Sequence, residues 1–164
     1  MSVLGHLNHL ASTRLDRISR AAARFHARRH AQGKGKLLDR FIGAPVFSLT
    51  VAGRKSGQPR TVMLILTRRG DDIIVAGSNG GNPDPPAWYL NLRDAGEATV
   101  EVGGERWAVT ARHAEGAERD ECWQLLVATY PDFETYQRLT DRQIPVVVLE
   151  RASDSAVRGA GAGL

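Results

Sequence analysis

Val46-Phe47-Ser48-Leu49-Thr50-Val51, the turn Gly53-Arg54-Lys55-Ser56-Gly57, and the run Pro59-Arg60-Thr61-Val62-Met63-Leu64-Ile65-Leu66-Thr67 together decide the fold. Both runs show period-two patterning and are rich in β-branched residues, the pattern of strands with one buried face. The five residues between them begin and end in glycine, which suits a tight turn. Gly70-Asp71-Asp72 then turns the chain into Ile73-Ile74-Val75-Ala76, a third strand. Connections this short join antiparallel neighbours, because parallel strands need a crossover of about a dozen residues or more.

Beyond these hairpins, Ser78-Asn79-Gly80-Gly81-Asn82-Pro83-Asp84-Pro85-Pro86 is too rich in Gly and Pro for regular structure and is expected to be a loop. A short helix is expected over 87–94, carrying Trp88, Leu90 and Leu92. Two strands, near 98–102 and 106–112, meet at Gly103-Gly104. A helix near 115–129 turns Cys122, Leu125 and Leu126 inward, and a short one follows near 133–139. The last strand, 146–149, is almost wholly apolar and is expected to be central. Six strands with few, short helices predict a mainly β chain, a small antiparallel barrel with helices packed on its periphery.

The 164 residues suffice for one domain of ordinary size, about 100–200 residues. Residues 1–36 carry eight basic side chains and one acidic, a charge of +7, while the remainder carries −3. The basic character therefore belongs to the N-terminal segment. Leu4, Leu7, Ala11, Leu15, Ile18, Ala22 and Phe25 recur there at helical spacing, with Arg17, Arg20, Arg24 and Arg28 on the flank and far side. That stripe either docks on the body or lies on an anionic membrane surface through residues 1–32. No aromatic platform accompanies the arginines, so nucleic acid is not an expected partner. The organisation expected is a basic amphipathic helix and linker over 1–36, a barrel domain over 37–151 and a disordered tail over 152–164. One cysteine, Cys122, excludes an internal disulfide. No apolar run follows an initial positive charge, and no segment approaches the roughly 20 apolar residues of a spanning helix. A cytoplasmic protein is expected.

Three stretches offer chemistry. Within 53–60, Arg54, Lys55 and Arg60 surround a glycine turn that can approach a ligand closely. Guanidinium forks and an ammonium suit phosphate oxygens, and the Ser56 hydroxyl with the turn's N–H groups could complete an anion nest. A solvated hairpin tip is the plain alternative. Ala76-Gly77-Ser78-Asn79 leaves a strand and leads toward a helix start, where anions are favoured. Trp88 beside it either walls a planar ring or fills the core. Tyr130, Phe133 and Tyr136, spaced by three, either line a pocket or pack the interior. His26 and His30 lack a third ligand, and no zinc-type cysteine pair or Gly-x-Ser-x-Gly elbow is present. Metal ligation is not expected, and the chemistry is expected to come from a cofactor.

Across these stretches the chain resembles the deazaflavin-dependent nitroreductase family of actinobacteria. The resemblance runs from about Phe41 to Glu150. It rests on Gly-Arg-Lys-Ser-Gly-Gln-Pro-Arg (53–60), Ile-Val-Ala-Gly-Ser-Asn-Gly-Gly (74–81), Pro-Ala-Trp-Tyr-Leu-Asn-Leu (86–92), Tyr-Pro-Asp-Phe-Glu-Thr-Tyr-Gln (130–137) and Thr-Asp-Arg-Gln-Ile-Pro-Val-Val-Val (140–148). It implies a split β-barrel that binds coenzyme F-420, an 8-hydroxy-5-deazaflavin with a phosphate and polyglutamate tail. By motif match Arg54, Lys55, Ser56 and Arg60 hold the tail and phosphate. Thr61, Val62, Met63, Leu64 and Ile65, with Ala76, Gly77, Ser78 and Asn79, contact the ring and ribityl chain. Ala87, Trp88, Tyr89, Leu90 and Asn91 close the opposite side, and Phe133 caps the ring. The implied activity is hydride transfer from the reduced coenzyme to a quinone or nitroaromatic acceptor, with Tyr130, Tyr136 and Ser78 donating hydrogen bonds or a proton. Members often place tyrosine where this chain has Ile65 and Phe133, and lysine where it has Asn79. Fewer phenols then remain to serve bicyclic nitro prodrugs. A non-catalytic deazaflavin-binding module and an FMN-dependent split-barrel reductase are the rival readings.

Overall fold

The computed structural model describes residues 43–153. The expected N-terminal helix and linker, and the tail beyond Ser153, lie outside the described residues. The described residues form seven strands: β1 (Val46–Ala52), β2 (Pro59–Ile65), β3 (Thr67–Arg69), β4 (Asp72–Ala76), β5 (Glu97–Val102), β6 (Glu105–His113) and β7 (Val146–Arg151). Among the described residues three α-helices accompany them: α1 (Ala87–Ala95), α2 (Gly116–Thr129) and α3 (Asp132–Arg138). Every pairing is antiparallel, in the order β2-β1-β5-β6-β7-β4-β3. The architecture is a mainly β, curled antiparallel half-barrel with a few helices, the class expected from the sequence.

The strand count departs from six, and the reason is local. The run 59–67, expected as one strand, divides at Leu66. Up to Ile65 it pairs with β1, which begins at Val46. Leu66 gives its N–H to the Pro45 carbonyl at 2.8 Å, and Thr67 then pairs with Ile74 instead. β2 and β3 are opposite edges of the sheet, yet Ile65 and Thr67 stand two residues apart, at most about 7 Å. The sheet must therefore curl until its edges meet.

Two cores result. The concave face buries Phe47, Leu49, Val51, Ile73, Val75, Val100, Val109, Val147 and Leu149, together with Leu92 of α1. The alternate residues Ile74, Ala76, Val146 and Val148 point the other way, against Cys122 and Leu126 of α2, Phe133 of α3 and Ile144. β4 and β7 are thus covered on both faces, which is why their sequences are unbroken apolar runs. β7 lies between β6 and β4, an interior place as expected.

Helix α2 is fastened to the sheet by ions. The Glu118 carboxylate accepts from Arg112 at 2.7 and 2.8 Å and from Arg69 at 2.6 Å, and Arg112 also donates to Glu150 at 2.7 Å. The hydrogen bonds from Arg112 and then Arg69 hold the Glu118 carboxyl down to about 2. The expected irregular loop after β4 contains one short 3-10 turn, Asn79–Gly81.

Candidate functional site

The turn between β1 and β2 is closed by its own backbone. Gly53 N–H donates to Gln58 O at 2.9 Å, and Ser56 and Gly57 N–H groups donate back to Gly53 O at 3.1 and 2.7 Å. Gln58 N–H reaches Ser56 Oγ at 3.3 Å, and Arg54 N–H reaches Asn91 Oδ1 of α1 at 3.1 Å. The amide nest expected here is therefore not free to bind an anion, because five of its N–H groups are used to shape the turn. What faces solvent is the side chains. Arg54, Lys55 and Arg60 are exposed, and among the described residues no carboxylate lies within ion-pairing distance of them. Ser56 Oγ accepts from Gln58 and keeps its proton to give. A Cβ on Gly53 would stand 3.1 Å from Ser56 Oγ and 3.2 Å from Gln58 O, so the tightness of the turn depends on glycine.

Contacts lead from this turn across the molecule. Asn91 ties it to α1. Tyr89, two residues earlier on α1, lies against Gly77, where an added Cβ would meet its ring at 3.3 Å and Pro145 at 2.8 Å. Ser78 is buried and Asn79 exposed, with Asn79 in the left-handed region at φ 49° and its Nδ2 donating to Asp84 O at 2.9 Å. Gly81 abuts α3: a Cβ there would meet Tyr136 O at 2.8 Å. Turn, α1, loop and α3 form one continuous band.

At the far end of the band stand the tyrosines. Tyr130 and Tyr136 bring their hydroxyls to 3.4 Å, and Phe133 sits edge-on to both, with centroids at 5.4 and 6.3 Å. Ile65, the last residue of β2, packs on the same cluster. The hydrogen bond to Tyr136, then burial, then Asp132 push the Tyr130 phenol well above its ordinary range. Tyr130 therefore keeps its proton and remains a donor well past neutral pH.

Several expected residues sit differently from one another. β2 is an edge strand, so one row of its main-chain groups has no strand partner. Along it Val62 and Leu64 pack on the concave core, while Thr61, Met63 and Ile65 face the other way, as period two requires. Thr61 meets the Thr50 hydroxyl at 2.8 Å, and Met63 Sδ accepts from Ser48 Oγ at 3.2 Å. A flat ligand cannot meet all five side chains from 61 to 65 on one side. Phe133 is only 6% exposed, enclosed by Trp123, Tyr130 and Tyr136, and its ring packs the second core. Trp88 is half-buried against the concave core and edge-on to Tyr89. Ala76 is buried at the end of β4; Ala87 is exposed and Leu90 half-buried on α1.

Two functional neighbours were not visible in the sequence. His113 Nε2 lies 2.8 Å from Tyr89 Oη, so that phenol already has a partner. Arg142 reaches the carbonyl oxygens of Ser78 at 2.8 Å and Asn82 at 3.0 Å. Both are long-range contacts, and no local pattern announces them. Among the described residues no cluster of His, Cys, Asp and Glu could hold a metal ion, and no helix is long and apolar enough to cross a membrane.

The arrangement fits the cofactor implied by the sequence: a cationic end without counter-charges, a glycine-shaped approach and hydrogen-bond donors at the other end. The model of the F420H(2)-dependent quinone reductase family matches residues 22–151. The chain belongs to this family. An F420H(2)-dependent quinone reductase of Mycobacterium tuberculosis is 36% identical over 132 residues, covering 78% of this chain and 89% of that protein. Among solved structures, an F420-H2 dependent reductase, FDR-A, is 37% identical with a TM-score of 0.61, covering 65% of this chain and 94% of that one. A second, described as a domain-swapped dimer, is 37% identical with a TM-score of 0.62, covering 65% and 80%.

Proposed function

We propose that this F420H(2)-dependent quinone reductase family member binds the coenzyme along the band from the 53–60 turn to the tyrosine pair and reduces quinones there. The chain is an oxidoreductase of the deazaflavin coenzyme acting on quinones, as its family is. The observation that carries the site assignment is the turn with Arg54, Lys55 and Arg60 unneutralised, tied through Asn91 to α1. When bound, the reduced coenzyme supplies a hydride.

Everything else falls to side chains. Arg54, Lys55, Arg60 and the Ser56 hydroxyl hold the phosphate and the carboxylates of the tail. Thr61, Met63 and Ile65 line the outward side of β2, with Gly77, Ser78 and Asn79 across from α1. Ala76 and Phe133 support this surface from the core. Tyr130, its proton held by burial and by Tyr136, donates to the acceptor oxygen as negative charge develops there. Ser78 and Tyr136 complete the donor set. Nitroaromatics are a second acceptor class of similar shape. The basic segment 1–32 would bring the enzyme, otherwise cytoplasmic, to an anionic membrane surface where lipid quinones reside.

Fluorescence titration with the oxidised deazaflavin and with FMN, followed by a menadione-type quinone assay, tests the reading. The deazaflavin should bind at micromolar or better affinity and in preference to FMN. Equal or tighter binding of FMN, or binding without turnover of any quinone, would overturn it.

A further inference from the structure

Arg142 is half-buried and has no ion-pair partner among the described residues. Its Nε donates to Asn82 O at 3.0 Å and its Nη2 to Ser78 O at 2.8 Å, and its Nη1 is fully buried without a partner. A cation drawn partly out of water, its fork bonded to carbonyl oxygens and the Asp84 carboxylate acting on it without an ion pair, is an expensive device. Its two bonds span the ends of the loop 78–82, and only the planar fork of arginine reaches both at once. That loop needs holding: Asn79 is left-handed at φ 49°, and Gly80 and Gly81 beside it leave the backbone free to take other conformations. A loop this free in its backbone keeps one shape only where side chains fix its ends.

The segment bearing Arg142 is itself fixed to α3. Gln137 Nε2 donates to Arg142 O at 2.9 Å, and Gln137 Oε1 accepts from Ile144 N–H at 2.9 Å. Gln137 follows Tyr136 directly, and Gly81 packs on the Tyr136 carbonyl. We propose that Arg142 is a positioning residue which locks the Ser78–Asn82 loop to the tyrosine-bearing helix, so that Ser78 and Asn79 keep a fixed distance from Tyr130 and Tyr136. The inference rests on the proposed site but names a residue outside it. Nothing in it requires Arg142 to touch a ligand.

Full-length wild type, Arg142→Met and Arg142→Lys are compared by amide hydrogen exchange without any ligand. The reporters are Gly81 N–H, bonded to Ser78 O, and Asn82 N–H, bonded to Asn79 O. Loss of two charge-assisted bonds should speed their exchange about tenfold or more in R142M, with β4 and β7 amides unaltered. Lysine should restore part of the protection, since it supplies the charge but not the fork. With the deazaflavin and a menadione-type quinone, R142M should lose kcat several-fold while the menadione KM changes less. Added guanidinium ion at millimolar concentration should recover part of both readouts. Unchanged exchange at Gly81 and Asn82 overturns the inference, and so does a loosened loop with wild-type kcat and coenzyme affinity. Wild type that binds no deazaflavin defeats the functional reading instead, and the ligand-free exchange still decides whether Arg142 holds the loop.

Discussion

Two groups of cations on this chain differ in their company. Arg69 and Arg112 share Glu118, and Arg112 takes Glu150 as well, so every charge there is answered within 2.6–2.8 Å. Arg54, Lys55 and Arg60 crowd one short turn with no carboxylate beside them, although the described chain has acidic residues enough on its surface. The first group fastens α2 across β3, β6 and β7. The second repels itself, and the fold gains nothing from it. Under the proposed function, the negative charge for these crowded cations would come from the coenzyme.

The sharpest way to break this contrast is to remove charges from the open turn. Lys55→Ala and Arg60→Ala should each weaken deazaflavin binding by about 1.5–3 kcal/mol, the range for hydrogen bonds to charged groups. Melting temperature should stay as it was or rise slightly as repulsion falls. Salt should weaken wild-type binding more than it weakens either variant, since fewer screened contacts remain. Unaltered affinity in fluorescence titration would reduce the turn to a solvated hairpin tip.

Tyr130→Phe comes next in size. Removing one donor from a developing oxyanion commonly costs about 100-fold or more, but Tyr136 lies 3.4 Å away and can substitute in part. About a tenfold loss of kcat on a menadione-type quinone is expected, with coenzyme affinity little changed. Because the Tyr130 phenol titrates well above its ordinary range, the wild-type rate should show no alkaline fall attributable to it below pH 10. Full activity in both Tyr130→Phe and Tyr136→Phe would remove the pair from the mechanism.

The difference between the two cation groups was only half legible in the sequence. The open turn could be read because its residues are adjacent and bounded by glycines. The answered group could not, since Arg69, Arg112, Glu118 and Glu150 are brought together only by the pairing of β6 with β7 and the docking of α2. The same limit hid Tyr89–His113 and Arg142. Antiparallel pairing, by contrast, follows from short turns, and the burial of Ile73 to Ala76 and Val146 to Leu149 from their apolar runs. The split at Leu66 left no trace in composition, because a strand that changes partners keeps its alternation. The spacing of Tyr130, Phe133 and Tyr136 left pocket and core both open for a related reason: it groups aromatic residues without saying whether they meet ligand or core.

Glu118→Gln probes the answered group. The Glu118 carboxyl is held at about 2, below its ordinary value near 4.5, by Arg112 and Arg69. A depressed carboxyl contributes stability that is present above about pH 4.5 and is lost as pH falls toward 2. Wild type should therefore lose melting temperature across that window more steeply than E118Q. At neutral pH the variant should melt about 2–4 °C lower, an effect softened because the group is partly exposed. Coenzyme affinity should be unaffected. A variant that bound the deazaflavin less tightly while melting normally would erase the division between structural and ligand-facing cations.

The smallest effect should come from Asn91, the link between the open turn and α1. Its Oδ1 accepts the Arg54 N–H at 3.1 Å in an exposed setting. Asn91→Leu removes the acceptor, and one neutral bond of this kind is worth about 0.5–1.5 kcal/mol. Asn91→Asp keeps the acceptor but adds a carboxylate beside Arg54. If the link matters only as an anchor, the leucine variant should weaken the coenzyme several-fold and the aspartate variant not at all. If the turn binds through its unanswered charge, aspartate should weaken it as well, by about twofold to tenfold, and high salt should narrow that gap because the added charge acts through solvent. The unanswered charge favours the second outcome. Aspartate binding the deazaflavin as tightly as asparagine at low salt would mean that geometry, and not open charge, distinguishes this turn.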